Sequence, residues 1–136
     1  MSGITGVTVR IEGNIVTELD QKKGLTAAKL REGVESQLQA SGIRLLSELE
    51  FLETKERPML TIKINALTHG EGYIFWVSTQ LYQHVYLIKQ GHDKTYPATT
   101  WSTPGTIGIF YDPEDLRDLV KEAVNGFISA YDTVHP

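Results

Sequence analysis

Residues 73–88 read YIFWVSTQLYQHVYLI, from Tyr73 to Ile88, without a proline or a glycine. Aromatic and β-branched side chains dominate the run, a composition that suits a pleated, half-buried surface. Strand side chains alternate with a period of two, and here the two faces differ. Phe75, Val77 and Thr79 fall on one side; Ile74, Trp76, Ser78, Gln80, Tyr82, His84, Tyr86 and Ile88 fall on the other. The second set mixes polar groups with large aromatics, unlike a core face and unlike an ordinary solvated one. Fully extended, the run spans roughly 54 Å, beyond the usual strand. That predicts a bend, a bulge or an overhanging end.

Upstream, Leu60, Ile62 and Ile64 alternate with Thr61, Lys63 and Asn65 after Pro58, which reads as a second strand. A turn near His69-Gly70 pairs the two. The expected register sets Ile64 opposite Phe75, Ile62 opposite Val77 and Leu60 opposite Thr79. Lys63 then meets Trp76, and Thr61 meets Ser78, on the other face. This register gathers the apolar set on one side.

Downstream, Gly91-His92-Asp93 turns the chain into a strand over Thr95–Trp101, where Pro97 argues for an edge position. A four-residue loop from Gln90 to Asp93 places Tyr96, Ala98 and Thr100 on the core side, beside Leu87, Val85 and Gln83. Trp101 then falls opposite Tyr82 on the far face, in one aromatic row with Trp76 and Tyr86. A shift of one residue turns Trp101 toward the core instead.

The remaining elements complete the pattern. Val7, Val9 and Ile11 alternate with Thr8, Arg10 and Glu12 as a first strand, and Gly13-Asn14 reads as a turn or bulge before a polar loop over 17–24. Thr26 reads as an N-cap, followed by Ala27, Leu30, Val34 and Leu38 at helical spacing. Gly42 suits the left-handed position after that helix, with Ile43 packing back on Leu38. Gly33 costs about 1 kcal/mol against alanine in mid-helix, which predicts close packing of Gly33 against the sheet.

Ser47-Glu48-Leu49-Glu50 has the spacing of a capping box and predicts one or two helical turns. Ser102-Thr103-Pro104-Gly105 breaks the fourth strand, and Ile107–Phe110 reads as a short extended piece. The last helix opens with Asp112 as N-cap and Pro113 in the first position. Its apolar stripe is Leu116, Leu119, Val120, Ala123, Phe127, Ala130 and Tyr131.

The fold class is therefore α+β: a single four-stranded, mostly antiparallel sheet with two amphipathic helices on one face, in the order β-α-β-β-β-α. At 136 residues and 15.2 kDa, one domain over 1–136 is expected to hide roughly 68% of its unfolded surface. The predicted core holds Leu30, Val34, Leu38, Ile62, Ile64, Phe75, Val77, Leu116, Val120 and Phe127.

Charge and motifs exclude more than they assign. The net charge of −4 is carried by the segment from Asp112 onward, and the rest of the chain balances. No basic stripe marks a nucleic-acid partner. No apolar run approaches the roughly 20 residues of a transmembrane segment, and the chain reads without a signal peptide. The absence of cysteine removes disulfides and thiolate chemistry. Phosphate-loop, nucleophile-elbow and zinc-protease motifs are missing, and His69, His84, His92 and His135 stand apart. No catalytic residue, metal ligand or cofactor is assigned. The candidate binding residues are Trp76, Tyr82, His84, Tyr86 and Trp101, on the aromatic face of the sheet.

Several stretches carry a resemblance: Gly24-Leu25-Thr26 with Leu30-Arg31, Val34-Glu35 and Leu38; Ser41-Gly42-Ile43; Ala98-Thr99-Thr100-Trp101-Ser102 with Gly108; and Leu116-Arg117-Asp118 with Phe127-Ile128 and Tyr131. Together they resemble a group of small bacterial α+β proteins, usually made with an export signal, that brings no activity to carry over. The resemblance implies a periplasmic or otherwise exported protein. The element order is also similar to that of the lipopolysaccharide-assembly lipoproteins, whose lipidated cysteine has no counterpart here.

Two functions follow as expectations. The first is a non-catalytic binding or assembly module of the bacterial envelope, meeting a protein partner or further copies of itself through the aromatic face or a strand edge. The alternative is a small enzyme or small-ligand-binding protein with a pocket near the sheet and the 102–110 loop, close to His84, Trp101 and Thr106. The first needs a flat surface; the second needs a concave site with convergent polar groups.

Overall fold

Strand β1 (Thr8–Ile15) leads through helices α1 (Ala27–Ala40) and α2 (Glu48–Glu53) to β2 (Met59–His69). Strands β3 (Gly72–Tyr86), β4 (Thr95–Ser102) and β5 (Thr106–Phe110) follow, and α3 (Asp115–Val134) closes the order. The computed structural model describes residues 4–15, 25–86 and 95–135, with the backbone alone at 15, 86 and 95. The polar loop expected over 17–24, the turn at Gly91-His92-Asp93, and Leu87 and Ile88 at the end of the expected long strand lie outside the described residues.

The fold is α+β, with a mixed sheet of strand order β1-β2-β3-β4 and β5 paired to β3. β1 runs parallel to β2, and the helical crossover between them makes that pairing reachable. The other pairs are antiparallel.

Gly13 does not end the first strand. It stays paired opposite Ile64, at φ 123°, and a Cβ there would lie 1.8 Å from the Ile64 carbonyl oxygen. Close backbone approach, rather than a turn, is what requires glycine at this position.

β3 keeps its length because two successive strands share one flank. β4 pairs with Gln80–Tyr86 and β5 with Tyr73–Val77. Thr103 fills the gap between them: its N–H donates to the Thr79 carbonyl at 3.0 Å, and its Oγ1 accepts from the Thr79 N–H at 3.2 Å. The sheet thus has a fifth strand beyond the four expected, made from the short extended piece.

The β2–β3 hairpin turns on Gly70-Glu71, with His69 paired to Gly72 and Gly70 at φ 59°. The register is therefore two residues from the expected one. Ile64 faces Val77, Ile62 faces Thr79 and Leu60 faces Leu81, while Asn65 faces Trp76 and Lys63 faces Ser78. A slip of two preserves the faces, so the core forms as anticipated.

Leu60, Ile62, Ile64 and Ala66 of β2 and Phe75, Val77 and Leu81 of β3 are buried under both long helices. α1 contributes Leu30, Val34 and Leu38; α3 contributes Leu116, Leu119, Val120, Val124 and Phe127. All ten residues of the predicted core are buried.

Helix ends follow their local chemistry. Thr26 Oγ1 accepts from the Lys29 N–H at 3.1 Å. After α1, the Ile43 N–H reaches the Leu38 carbonyl and the Gly42 N–H reaches that of Gln39, with Gly42 at φ 81°. This is the left-handed stop expected of Gly42. Both arms of the Ser47–Glu50 capping box are present.

α3 proper begins at Asp115, and Glu114 makes no side-chain cap. Asp112 caps the turn before it: its Oδ1 accepts from the Glu114 N–H at 2.9 Å, and its carbonyl accepts from the Asp115 N–H. Gly33 departs from expectation. It is exposed, and a Cβ there would meet nothing within 4 Å. The helix turns Gly33 toward the groove between α1 and α3, so the sheet does not explain it.

Candidate binding surface

The face of the sheet away from α1 and α3 has two ends of different chemistry. At one end the cross-strand rows are apolar but for Asn65. Leu67, Ile74 and Ile109 lie side by side on β2, β3 and β5; Asn65, Trp76 and Ile107 form the next row. Leu67 is 56% exposed, Ile107 69% and Ile109 55%. Tyr111, 74% exposed, lies close over Gly72, where a Cβ would stand 2.9 Å from its ring. The Trp76 indole lies on Gly105, at 2.3 Å from where a Cβ would be. Glycine at 72 and 105 lets the two aromatic rings settle on backbone.

The middle of the face is polar but closed. Thr61 and Ser78 are buried, and their hydroxyls find no hydrogen-bond partner among the described residues. Neither α1 nor α3 covers them, since both helices pack on the core face.

At the other end, β1 to β4, α2 and the α2–β2 connection border an open cleft of about 280 Å³ lined by Arg10, Glu12, Phe51, Arg57, Met59, Tyr82, His84 and Pro97. The Tyr82 hydroxyl donates to Gln80 Oε1 at 2.5 Å. The His84 N–H donates to the Glu56 carbonyl at 2.6 Å, which ties the α2–β2 connection to β3. Arg10 pairs with Glu12 at 3.2 Å.

The five candidate residues separate accordingly. Tyr82 and His84 meet in the cleft. Trp76 is six residues away along β3, about 20 Å in an extended strand. For Tyr86 the backbone alone is described, paired with Thr95. Trp101 is on the opposite face.

That last placement corrects the expected aromatic row. Leu81 pairs with Trp101 but Tyr82 pairs with Thr99, so Thr100 is an extra residue in β4. Up to the bulge the alternation holds: Tyr96 faces Val85 and Ala98 faces Gln83, two residues from the expected register. The bulge then reverses parity. Thr100 Oγ1 donates to Gln83 Oε1 at 2.5 Å, and Trp101 turns in against Phe127 of α3.

The pocket expected near His84, Trp101 and Thr106 does not form from those residues. His84 pairs with Pro97, whereas Thr106 pairs with Val77 at the far end of β3. A hollow of about 260 Å³ beside the 102–110 loop is lined instead by Val77, Thr103, Pro104, Thr106, Glu122 and Ala123. Among the described residues, no three histidine or carboxylate side chains come together as a metal site would require. No described helix is long and apolar enough to cross a membrane.

Sequence reasoning missed Leu67, Ile107, Ile109 and Tyr111. The alternation of Ile107 and Ile109 around Gly108 was the available signal, but it became a surface only once β5 paired with β3. Phe51 and Arg57 carry no such signal, since nothing in the spacing brings α2 over the sheet.

No protein-family model matches the chain, and no curated protein does. Among solved structures, the chain is similar to the PelC dodecamer from Paraburkholderia phytofirmans in two crystal forms. One form, a point variant, matches at 15% identity and a TM-score of 0.50 over 88% of this chain and 85% of that one. The other matches at 15% and 0.50 over 92% and 85%. At that identity the likeness shows a shared fold.

Proposed function

We propose that this protein is a non-catalytic binding or assembly module of the bacterial envelope, and that it assembles with further copies of itself through the apolar end of the far sheet face. The observation that carries this reading is the pair of adjacent cross-strand rows, Leu67–Ile74–Ile109 and Trp76–Ile107. Leu67, Ile107 and Ile109 are more than half exposed, and Tyr111 extends the same surface. An apolar patch of this kind at the open edge formed by β5 favours association.

That both of the similar solved structures are PelC dodecamers lends support. The envelope location rests on the resemblance of the cap and helix motifs to exported bacterial proteins. Sedimentation velocity tests the association. The wild-type chain sediments as an oligomer at micromolar concentration, and Ile107→Asp sediments as a folded monomer with the wild-type far-ultraviolet circular dichroism. A wild-type chain that stays monomeric up to the solubility limit contradicts the proposal.

A further inference from the structure

The cleft at the other end of the same face has the makings of a small-molecule site. Four of its lining side chains are flat or soft and apolar: the Phe51 and Tyr82 rings, the Pro97 ring and the Met59 thioether. Phe51, Met59 and Tyr82 are each half-buried, and Pro97 and Arg57 stand exposed at the rim. The charged lining is two guanidiniums against one carboxylate, a local excess of positive charge in a chain of net charge −4.

The two arginines are not equivalent. Arg10 is engaged by Glu12. Arg57 makes no ion pair among the described residues, and its backbone sits at φ 41°, a left-handed conformation that few non-glycine residues adopt. Glycine would take that conformation without strain, yet the position holds a long cation facing the cleft. Strained backbone of this kind gathers where a side chain has to be aimed.

We propose that this cleft binds a small monocarboxylate carried on a flat ring. The guanidinium fork of Arg57, unpaired among the described residues, matches the two oxygens of a carboxylate. The flat side chains offer the ring apolar surface to stack on, and a volume of about 280 Å³ is ample for one ring bearing a carboxylate. Glu12 in the same lining repels a second negative charge, which selects against phosphate esters and dicarboxylates. The site is separate from the apolar end and does not depend on self-association.

The test is a chemical-shift titration of the full chain with benzoate, benzamide and acetate at millimolar concentration. Benzoate perturbs the resonances of Arg57, Tyr82 and His84. Benzamide, which keeps the ring but loses the charge, and acetate, which keeps the charge but loses the ring, each bind at least tenfold more weakly. Arg57→Gln weakens benzoate at least tenfold while the rest of the spectrum stays in place. Arg57→Gly loses binding to the same degree and melts no lower than the wild type, because glycine relieves the left-handed backbone; this variant remains informative if Arg57→Gln fails to fold. Benzoate leaving these resonances unmoved, or benzamide binding as well as benzoate, overturns the proposal.

Discussion

Trp101 of β4 stands edge-on to Phe127 of α3, with ring centroids 5.4 Å apart and planes 69° apart. The contact fastens the sheet edge to the last helix, and it exists because Thr100 is bulged out of register with β3. Phe127 is fully buried, and its ring also meets that of Tyr131 at 6.1 Å. Trp101→Ala therefore opens a cavity against α3. With the indole half-buried, the expected loss is about 2–3 kcal/mol, below the range for a fully buried aromatic. Urea unfolding checks this; a midpoint unchanged by the substitution would place Trp101 on the solvated face.

Gly13→Ala is expected to be among the most damaging single changes. The backbone lies at φ 123°, and a methyl group would collide with the Ile64 carbonyl. Relief requires breaking the β1–β2 ladder, so a loss of more than about 2 kcal/mol follows. Thermal unfolding of the variant measures it, and a loss under half of that would mean the strand ends before Gly13.

Gly33→Ala is expected to do the opposite. Gly33 sits inside α1, exposed, with nothing near the position of a new methyl group. Alanine gains helix propensity and restricts the unfolded chain, for about 0.5–1 kcal/mol of added stability. A destabilised Gly33→Ala variant would reveal a contact at that face which the folded monomer does not make.

Asp112→Ala removes the acceptor for the Glu114 N–H. A loss of about 1 kcal/mol is expected, as for other helix-start caps. Asp112→Asn keeps an acceptor oxygen and is expected to lose less. Equal losses in the two variants would assign the effect to charge rather than to the cap.

The fold was legible where periodicity and caps act locally. Leu30, Val34 and Leu38, the Gly42 stop and the Ser47 box all follow from spacing within one element, and the tertiary structure had no reason to override them. Face assignment along β2 and β3 was equally legible, since a register slip of two leaves every side chain on its own side. The registers themselves were not, because choosing Gly70-Glu71 over His69-Gly70 as the turn moves every pair and leaves the hydrophobic pattern equally satisfied. Trp101 was lost for a different reason. A bulge adds one residue without any compositional mark, and one residue is enough to reverse a face. The apolar end of the candidate surface needed three strands to assemble it, so Leu67 and Ile109 had no visible connection in the sequence.

If the apolar end of the far face becomes buried between copies of the chain, Trp76 reports on it directly. The chain has two tryptophans, so Trp101→Phe leaves Trp76 as the single emitter while keeping an aromatic ring against Phe127. Iodide quenching of this variant, followed from nanomolar to high micromolar protein, measures how open the indole is as assembly proceeds. Burial of this end between copies makes quenching fall as concentration rises, and Ile107→Asp abolishes the fall. Quenching that stays constant across a range in which sedimentation shows oligomers forming would put the interface elsewhere and rule out self-association through this end of the face.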